Sequence, residues 1–217
     1  MRNVSDAWLI EVHCYRSEDA AATLTGLLNA ITETAAADYS PGQIAAWARP
    51  EQRTLSEWEP AMKVRDSYVA LLDKEIVGFS DVAPEGHIDM MFVSPPHSRR
   101  GVASALLTPL HGHARAHGIR SLSADVSITA RPFFEKHGFT VVTQLHPMTA
   151  GVPMTNFRMT EMLASAGGDS RPRTWSPLQH SRHARPAENL MLGTRMPVKR
   201  LLNGHAGIRS SADRPDR

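Results

Sequence analysis

Apolar residues along positions 8–163 recur with two periods, one typical of strands and the other typical of helices. Short apolar runs bounded by Gly, Pro or Asp predict strands over 8–15, 68–72, 76–79, 88–93, 121–126, 139–145 and 153–162. Apolar residues three and four positions apart predict helices over 17–34, 43–48, 54–62, 101–117 and 130–137. Pro109 lies inside the fourth of these helices and predicts a kink or an earlier end there.

The order of these elements predicts the fold class. The strands at 68–72, 76–79 and 88–93 are joined by short turns, so an antiparallel meander is expected. The later elements alternate between helix and strand and close with two further strands. We therefore predict an α+β, or mixed α/β, fold in which helices flank a mostly antiparallel central sheet.

The character of the sequence changes after Leu163. Residues 164–170 read ASAGGDS, and the remainder is rich in Arg, Pro, Ser, His and Gly. This composition predicts a folded domain over 1–163 and a basic, disordered tail over 164–217. Residues 1–164 carry 14 Lys+Arg against 18 Asp+Glu, a net −4, whereas residues 165–217 carry 10 against 4, a net +6. Because the positive charge belongs to the tail, we do not expect the folded part to bind nucleic acid. A basic arm that contacts acidic partners is the alternative for the tail.

Cysteine content and hydropathy predict a cytoplasmic protein. Cys14 is the only cysteine, so an intramolecular disulfide is excluded, and we expect its thiol to be a small buried apolar group. The N-terminal apolar run is too short for a signal peptide. No run approaches the ~18 apolar residues that a spanning helix needs, so no membrane partner is expected. The sequence leaves oligomeric state, including a homodimer, open.

The stretch over 88–110 carries the clearest chemistry. It reads as a buried strand ended by Ser-Pro-Pro, a basic turn, and an amphipathic helix that begins near Gly101. The first helical turn has free N–H groups and a dipole worth about half a positive charge, and Arg99 and Arg100 stand beside it. Small residues at Gly101, Ala103 and Ser104 allow a ligand to approach the backbone. This arrangement suits a pyrophosphate, and the alternative is a solvated basic turn before an ordinary helix.

Two motifs resemble those of the GNAT N-acetyltransferase superfamily. Residues 98–103, SRRGVA, resemble its motif A, Q/R-x-x-G-x-G/A, and residues 130–139, ARPFFEKHGF, resemble its motif B, A-x-x-F/L-Y-E-x-x-G-F. The motifs stand in the family's order and separation, and the resemblance covers roughly residues 8–163. Residues 37–43 and 151–159 are similar to an uncharacterised bacterial subgroup of the superfamily.

The resemblance implies a GNAT-like acyl-CoA N-acyltransferase fold and acetyl-CoA as co-substrate. It implies direct transfer of the acetyl group to a primary amine of a small molecule or a peptide. The implied cofactor-binding residues are Met91, Phe92, Val93, Ser98, Arg99, Arg100, Gly101, Val102, Ala103, Ser104, Phe133 and Phe134. Among them, the backbone over 91–93 would bind the pantetheine arm through strand-like hydrogen bonds, and the loop over 98–104 would hold the pyrophosphate.

Two residues depart from the family pattern. Ser98 stands where the family has Gln or Arg, and it has a shorter reach. Phe134 stands where the family has the tyrosine that protonates the leaving thiolate, and a phenyl ring has no proton to give. A thiol of pKa about 8.5 leaves readily, so a dedicated acid is useful rather than obligatory. Tyr39, Ser127 and Thr129 are candidates to replace it.

An amine acceptor must be neutral to attack, which for a lysine-like amine at pH 7 costs about 4–5 kcal/mol. Asp89 lies in the predicted strand over 88–93, and His87 lies two residues earlier on the same face; these are the candidate bases, with Tyr39 as a further catalytic candidate. The alternative roles are a hydrogen-bonded strand-edge carboxylate for Asp89 and a solvent-facing turn residue for His87. Tyr39 and Trp47 are candidates for the acceptor pocket, with ordinary core packing as the alternative.

Two further hypotheses compete with an active enzyme. Phe134 and Ser98 also fit a CoA-binding sensor or interaction module that no longer catalyses. A nucleic-acid binder that acts through its basic tail is a weaker hypothesis than either the enzyme or the sensor. His113 and His117 share a helix face at a spacing that metal ligands use, but a solvated face explains them better, so we predict no metal.

Overall fold

The computed structural model describes residues 9–164. Trp8 of the first predicted strand and all but the first residue of the predicted tail lie outside the described residues. The helices are α1 Ala20–Asn29, α2 Pro41–Ala48, α3 Leu55–Lys63, α4 Val102–Ala116 and α5 Arg131–Lys136. The strands are β1 Ile10–Cys14, β2 Asp66–Leu72, β3 Glu75–Val82, β4 His87–Ile88, β5 Met91–Val93, β6 Ser121–Ser127, β7 Thr140–Leu145, β8 Met148–Thr149, β9 Val152–Pro153 and β10 Asn156–Met162.

The strands form two four-stranded sheets and one small hairpin. The first sheet has the order β1-β2-β3-β5 and every neighbouring pair is antiparallel, which confirms the predicted meander. Asp73 and Lys74 join β2 to β3 with φ of 52° and 68°, the left-handed geometry of a two-residue hairpin turn. The second sheet has the order β4-β6-β10-β7, and in it only the short pairing of β4 with β6 is parallel. The predicted α+β class with a mostly antiparallel sheet is confirmed.

The single strand predicted over 88–93 is wrong, because the chain changes sheet in the middle of it. β4 pairs with β6 in the second sheet, whereas β5 pairs with β3 in the first. Between them, the N–H groups of Asp89 and Met90 donate to Oδ1 of Asp81 at 3.1 and 2.7 Å. A carboxylate from β3 thus satisfies two N–H groups that leave the ladder at the break. Sequence periodicity carries no signal for this partner, which is eight residues away.

Helix α4 joins the two sheets. Val102 and Leu106 pack with Val77 and the apolar residues of β2, while Leu107 and Leu110 pack with Leu122 and the second sheet. These four α4 side chains are at most 2% exposed. The helix continues through Pro109 to Ala116, so of the two predicted outcomes, a kink or an earlier end, the earlier end is wrong. Burial of its apolar face on both sides offsets the roughly 3 kcal/mol that an internal proline costs.

Helices α1 and α3 cover the first sheet. Leu27 and Ile31 pack with Trp58, Met62 and Phe79 in one buried cluster. The helix predicted over 17–34 begins with a 3-10 turn at Ser17–Asp19 and extends beyond α1 through a π-turn at Ala30–Thr34 and a 3-10 turn at Ala35–Ala37. Cys14 is exposed at the end of β1, so the expectation of a buried thiol is wrong. Within residues 9–164, no helix has the length and apolar character needed to cross a bilayer.

Candidate functional site

A cavity of about 790 Å³ opens between β5 and the C-terminal end of β6. Its walls come from β5, the loop and first turn of α4, the segment from the end of β6 through α5, and the C-terminal part of the α1 region with α2. The lining residues are Ala30, Thr34, Ala35, Trp47, Met91, Phe92, Val93, Ser98, Arg99, Gly101, Val102, Ala103, Ser104, Ser127, Thr129, Ala130, Pro132, Phe133, Phe134, Lys136 and His137. Eleven of the twelve residues predicted to bind a cofactor are therefore brought to one cavity, and Arg100 lies beside them outside its wall.

The N-terminus of α4 faces this cavity. The first intrahelical bond runs from the N–H of Ala105 to the carbonyl of Gly101 at 2.9 Å, and the N-cap residue, Gly101, has no side chain to cap the helix. The N–H groups over 102–104 therefore have no intrahelical acceptor. Arg99 and Gly101 shape the turn with φ of 63° and 90°. An anion in the cavity would meet these N–H groups, the positive end of the helix dipole and the Arg99 side chain together.

Strand β5 forms the second wall. It lies at the end of its sheet, with Met91, Phe92 and Val93 opposite Ser80, Phe79 and Gly78 of β3. An edge strand leaves backbone N–H and C=O groups available to an extended ligand. A β-carbon on Gly78 would lie 2.9 Å from the carbonyl oxygen of Phe92, so the absence of a side chain allows β5 and β3 to approach this closely.

Helix α5 forms the third wall, around Phe134. This ring is 4% exposed and makes edge contacts with Phe133 at 5.4 Å and Phe139 at 4.9 Å between centroids. His137 is held on the same helix, since its Nε2 lies 2.9 Å from Oγ of Ser104 and its Nδ1 lies 2.9 Å from the carbonyl oxygen of Phe133. Helices α4 and α5 are thus joined by a hydrogen bond at the cavity wall.

Three hydroxyl groups were predicted as replacements for the missing phenol, and the structure separates them. Tyr39 is 5% exposed, and its hydroxyl donates to the carbonyl of Thr155 at 2.7 Å while accepting the N–H of Ile128 at 2.9 Å. Oγ of Ser127 accepts the N–H of Ala130 at 3.2 Å. Oγ1 of Thr129 is buried and has no hydrogen-bond partner in the described chain. Of the three hydroxyls, only that of Thr129 lacks a partner in the described chain, and its oxygen is covered by neighbouring atoms.

Tyr39 acts as a clamp rather than as part of the cavity wall. Its two main-chain partners fix the segment before α2 to β10 and to the end of β6, and burial raises the pKa of its phenol. Its ring lies edge-on to Trp47 at 5.5 Å between centroids. Trp47 lines the cavity and Tyr39 supports it from behind.

Asp89, the first candidate base, lies outside the cavity wall in a charged cluster. Nη1 of Arg65 is 2.6 Å from Oδ2 of Asp89 and 2.6 Å from Oδ2 of Asp81. Burial raises the pKa of Asp81 to about 6 although Arg65 opposes that shift. Because Asp89 is paired with a guanidinium and Asp81 holds the strand break, the cluster positions β5. Sequence reasoning missed Asp81 and Arg65, and the only available signal was a carboxylate in the apolar run of β3.

His87, the second candidate base, also lies outside the wall. Its Nδ1 is 3.0 Å from Oγ of Ser123 on β6, and burial lowers the pKa of its imidazole. The histidines in and directly after α4 also lie outside the cavity wall. His113 and His117 stack with ring centroids 4.2 Å apart, and His111 lies 2.8 Å from a carboxylate oxygen of Glu161. These residues do not contribute to the cavity.

Comparison with known proteins gives one consistent family. Residues 35–161 match the family model described as the acetyltransferase (GNAT) domain. The chain is 40% identical over 153 residues, 69% of this chain and 94% of the relative, to the uncharacterized N-acetyltransferase YafP of Escherichia coli K12. It also resembles a solved GCN5-related N-acetyltransferase from Rhodopseudomonas palustris, with 30% identity, a TM-score of 0.67, and coverage of 70% of this chain and 95% of that one.

A more distant structure shares the fold. The PaiA N-acetyltransferase of Thermoplasma acidophilum, solved in complex with coenzyme A, has 19% identity and a TM-score of 0.59, with coverage of 71% of this chain and 99% of that one. At this identity the likeness concerns the fold alone.

Proposed function

The chain belongs to the GNAT acetyltransferase family, and from this premise we propose that it moves an acetyl group from acetyl-CoA directly to a primary amine of a small molecule or peptide. The observation that carries the proposal is that the uncapped N-terminus of α4 and the open edge of β5 face one cavity. Coenzyme A carries a pyrophosphate and an extended arm with two amides, and these are the groups that such walls bind. The coenzyme A in the Thermoplasma structure supports the same choice.

In this proposal the pyrophosphate accepts the N–H groups over 102–104, with Arg99 adjacent. The amides of the pantetheine arm pair with the backbone over 91–93, and Thr129 lies on the opposite wall. These contacts direct the thioester toward Phe134 and Trp47.

The chemical step is aminolysis of the thioester. The amine nitrogen forms a bond to the acetyl carbon, the C–S bond breaks with its electron pair on sulfur, and the nitrogen loses one proton. A thiol pKa of about 8.5 makes sulfur a good leaving group without a dedicated acid, in keeping with Phe134 at the cavity wall. We assign Asp89 and His87 to positioning, since Asp89 pairs with Arg65 and His87 with Ser123.

Two charge insertions on α4 test cofactor binding. Ala103→Asp adds a carboxylate to the first helical turn, where it favours the helix dipole but repels a pyrophosphate. Thr108→Asp adds the same charge at an exposed position of the same helix, outside the cavity wall. Isothermal titration calorimetry should show coenzyme A binding weakened at least tenfold by the first variant and unchanged by the second. Equal affinity in both variants would refute a pyrophosphate site at α4.

The sensor hypothesis is the second candidate, and the phenyl ring of Phe134 in the cavity wall favours it. The two functions differ in turnover. An enzyme releases free thiol from acetyl-CoA when an amine is added, whereas a sensor is stabilised by acetyl-CoA and releases none with any amine. Thermal shift and thiol release on the same preparation separate them.

A further inference from the structure

One part of the cavity wall presents side chains that have no role in the proposed cofactor contacts. Ala30, Thr34 and Ala35 come from the C-terminal part of the α1 region, Trp47 comes from α2, and Phe92 faces them from β5. The ring centroids of Trp47 and Phe92 are 6.4 Å apart, with planes inclined by 56°. We call these five residues the acceptor wall, because they border the space left beside the thioester.

The acceptor wall is apolar, aromatic and firmly supported. Trp47 is backed by the clamped ring of Tyr39 at 5.5 Å, and Phe92 stacks on Phe79 with centroids 5.6 Å apart. Phe79 is itself 1% exposed. Rings that are fixed in this way offer preformed surfaces to a flat apolar body. Thr34 supplies the only side-chain hydroxyl of the acceptor wall.

The ionisable side chains of the cavity are all basic. Arg99 comes from the loop before α4, and Lys136 and His137 come from the end of α5, on the side proposed for the cofactor. In the part of the chain that the structure describes, no carboxylate lines this cavity. An ammonium group would therefore find no counter-ion there, and no carboxylate to remove its proton.

This lining disfavours a strongly basic acceptor. An alkylamine of pKa about 10.4 is neutral in about one molecule in 2,500 at pH 7. Trp47 can attract an ammonium through its ring face, but a cation held in this way is not a nucleophile. An amine bonded directly to an aromatic ring is uncharged at pH 7 and brings a flat body that fits against Trp47 and Phe92.

Resting on the proposed acetyl transfer, we infer that the acceptor is a weakly basic aromatic amine. Its neutral nitrogen attacks the acetyl carbon without prior deprotonation. The C–N bond forms, the C–S bond breaks with its electron pair on sulfur, and the proton lost by nitrogen passes through solvent to give the free thiol and an anilide. The reaction balances without any further reagent.

A matched pair of amines tests the inference. 4-Methoxyaniline and 4-methoxybenzylamine differ by one methylene, but only the second is charged at pH 7. Mass spectrometry of the acetylated products, with the uncatalysed reaction subtracted, should give 4-methoxyaniline a kcat/KM at least tenfold higher at pH 7. Its kcat/KM should be flat between pH 7 and 9, while that of the benzylamine rises by up to tenfold per pH unit. Comparable values at pH 7 with flat profiles for both amines would overturn the inference, because a protein base would then be acting.

Variants of Trp47 test the wall itself. Trp47→Leu should lower kcat/KM for 4-methoxyaniline about tenfold, Trp47→Phe should retain most of it, and coenzyme A affinity should stay unchanged in both. A purely structural role would lower both amines alike and shift the melting temperature instead. If coenzyme A binds but 4-methoxyaniline is not acetylated, this inference fails alone. If coenzyme A does not bind, the proposed function fails first.

Discussion

Gly78 provides the sharpest test of how β3 positions the cofactor walls. A β-carbon at this buried position would lie 2.9 Å from the carbonyl oxygen of Phe92 and 2.9 Å from Cγ1 of Val102. A β-carbon does not approach another heavy atom this closely. In Gly78→Ala, therefore, β5 and the first turn of α4 must move away from the new methyl group by a few tenths of an ångström. Overpacking of this kind costs about 1–3 kcal/mol, partly offset by about 0.5–1 kcal/mol from replacing a strand glycine. We expect a net loss of about 0.5–2 kcal/mol in the free energy of unfolding.

The same displacement should weaken cofactor binding, because both clashing atoms belong to the proposed cofactor walls. Urea unfolding measures the stability, and calorimetry measures coenzyme A affinity, for which a loss of about three- to tenfold is expected. Gly112→Ala is the matched control, because Gly112 is exposed on α4 and a β-carbon there meets nothing within 4 Å. This substitution should raise the free energy of unfolding by about 0.5–1 kcal/mol. Adding Val102→Ala should relieve one of the two clashes and give a favourable coupling energy. A Gly78→Ala protein with full stability and unchanged affinity would refute the reasoning.

Three further predictions concern single residues. Burial raises the pKa of Asp81 from 3.8 to about 6, so between these two pH values the native state keeps a proton that the unfolded chain releases. The stabilisation from this bound proton is complete below pH 3.8 and is lost, by about 3 kcal/mol, as the pH rises through 6. Asp81→Asn should remove that decline, so parallel stability curves for wild type and variant between pH 4 and 7.5 would contradict it. Thr129→Val should leave the melting temperature equal or higher, since the buried hydroxyl has no partner to lose. A clear loss of thermal stability would argue that this hydroxyl has a partner. Gly101→Ala has room for its β-carbon, 3.8 Å from Ile10, but its φ of 90° should cost about 1–2 kcal/mol in urea unfolding, and an unchanged midpoint would show that the turn relaxes.

Local elements of this protein could be predicted because their causes are local. The start of α4 follows from Gly101 and the small residues after it, and its end follows from Gly118, which has φ of 66°. The hairpin between β2 and β3 follows from Asp73 and Lys74, and the meander follows from the short turns. The loop and strand proposed for the cofactor come together because they are neighbours along the chain.

What the sequence does not reveal is the contacts between residues that are distant along the chain. The strand predicted over 88–93 divides between two sheets because Asp81 takes the N–H groups at its centre, and an apolar run does not reveal that bond. Asp89 is a candidate base by sequence, with a hydrogen-bonded carboxylate as the alternative, and Arg65, 24 positions earlier, pairs with it in space. Tyr39 looked like a catalytic candidate, but backbone groups 89 and 116 positions away hold its hydroxyl.

The sequence by itself determined the helices, the turns, most of the strands and the glycine turn that begins α4, since these depend on residues within a few positions of one another. The tertiary structure decided which ionisable groups remain available to a substrate, because desolvation and ion pairing depend on what is packed alongside. For the same reason, only the folded chain assembles an aromatic wall from α2 and β5 in which Trp47 faces Phe92.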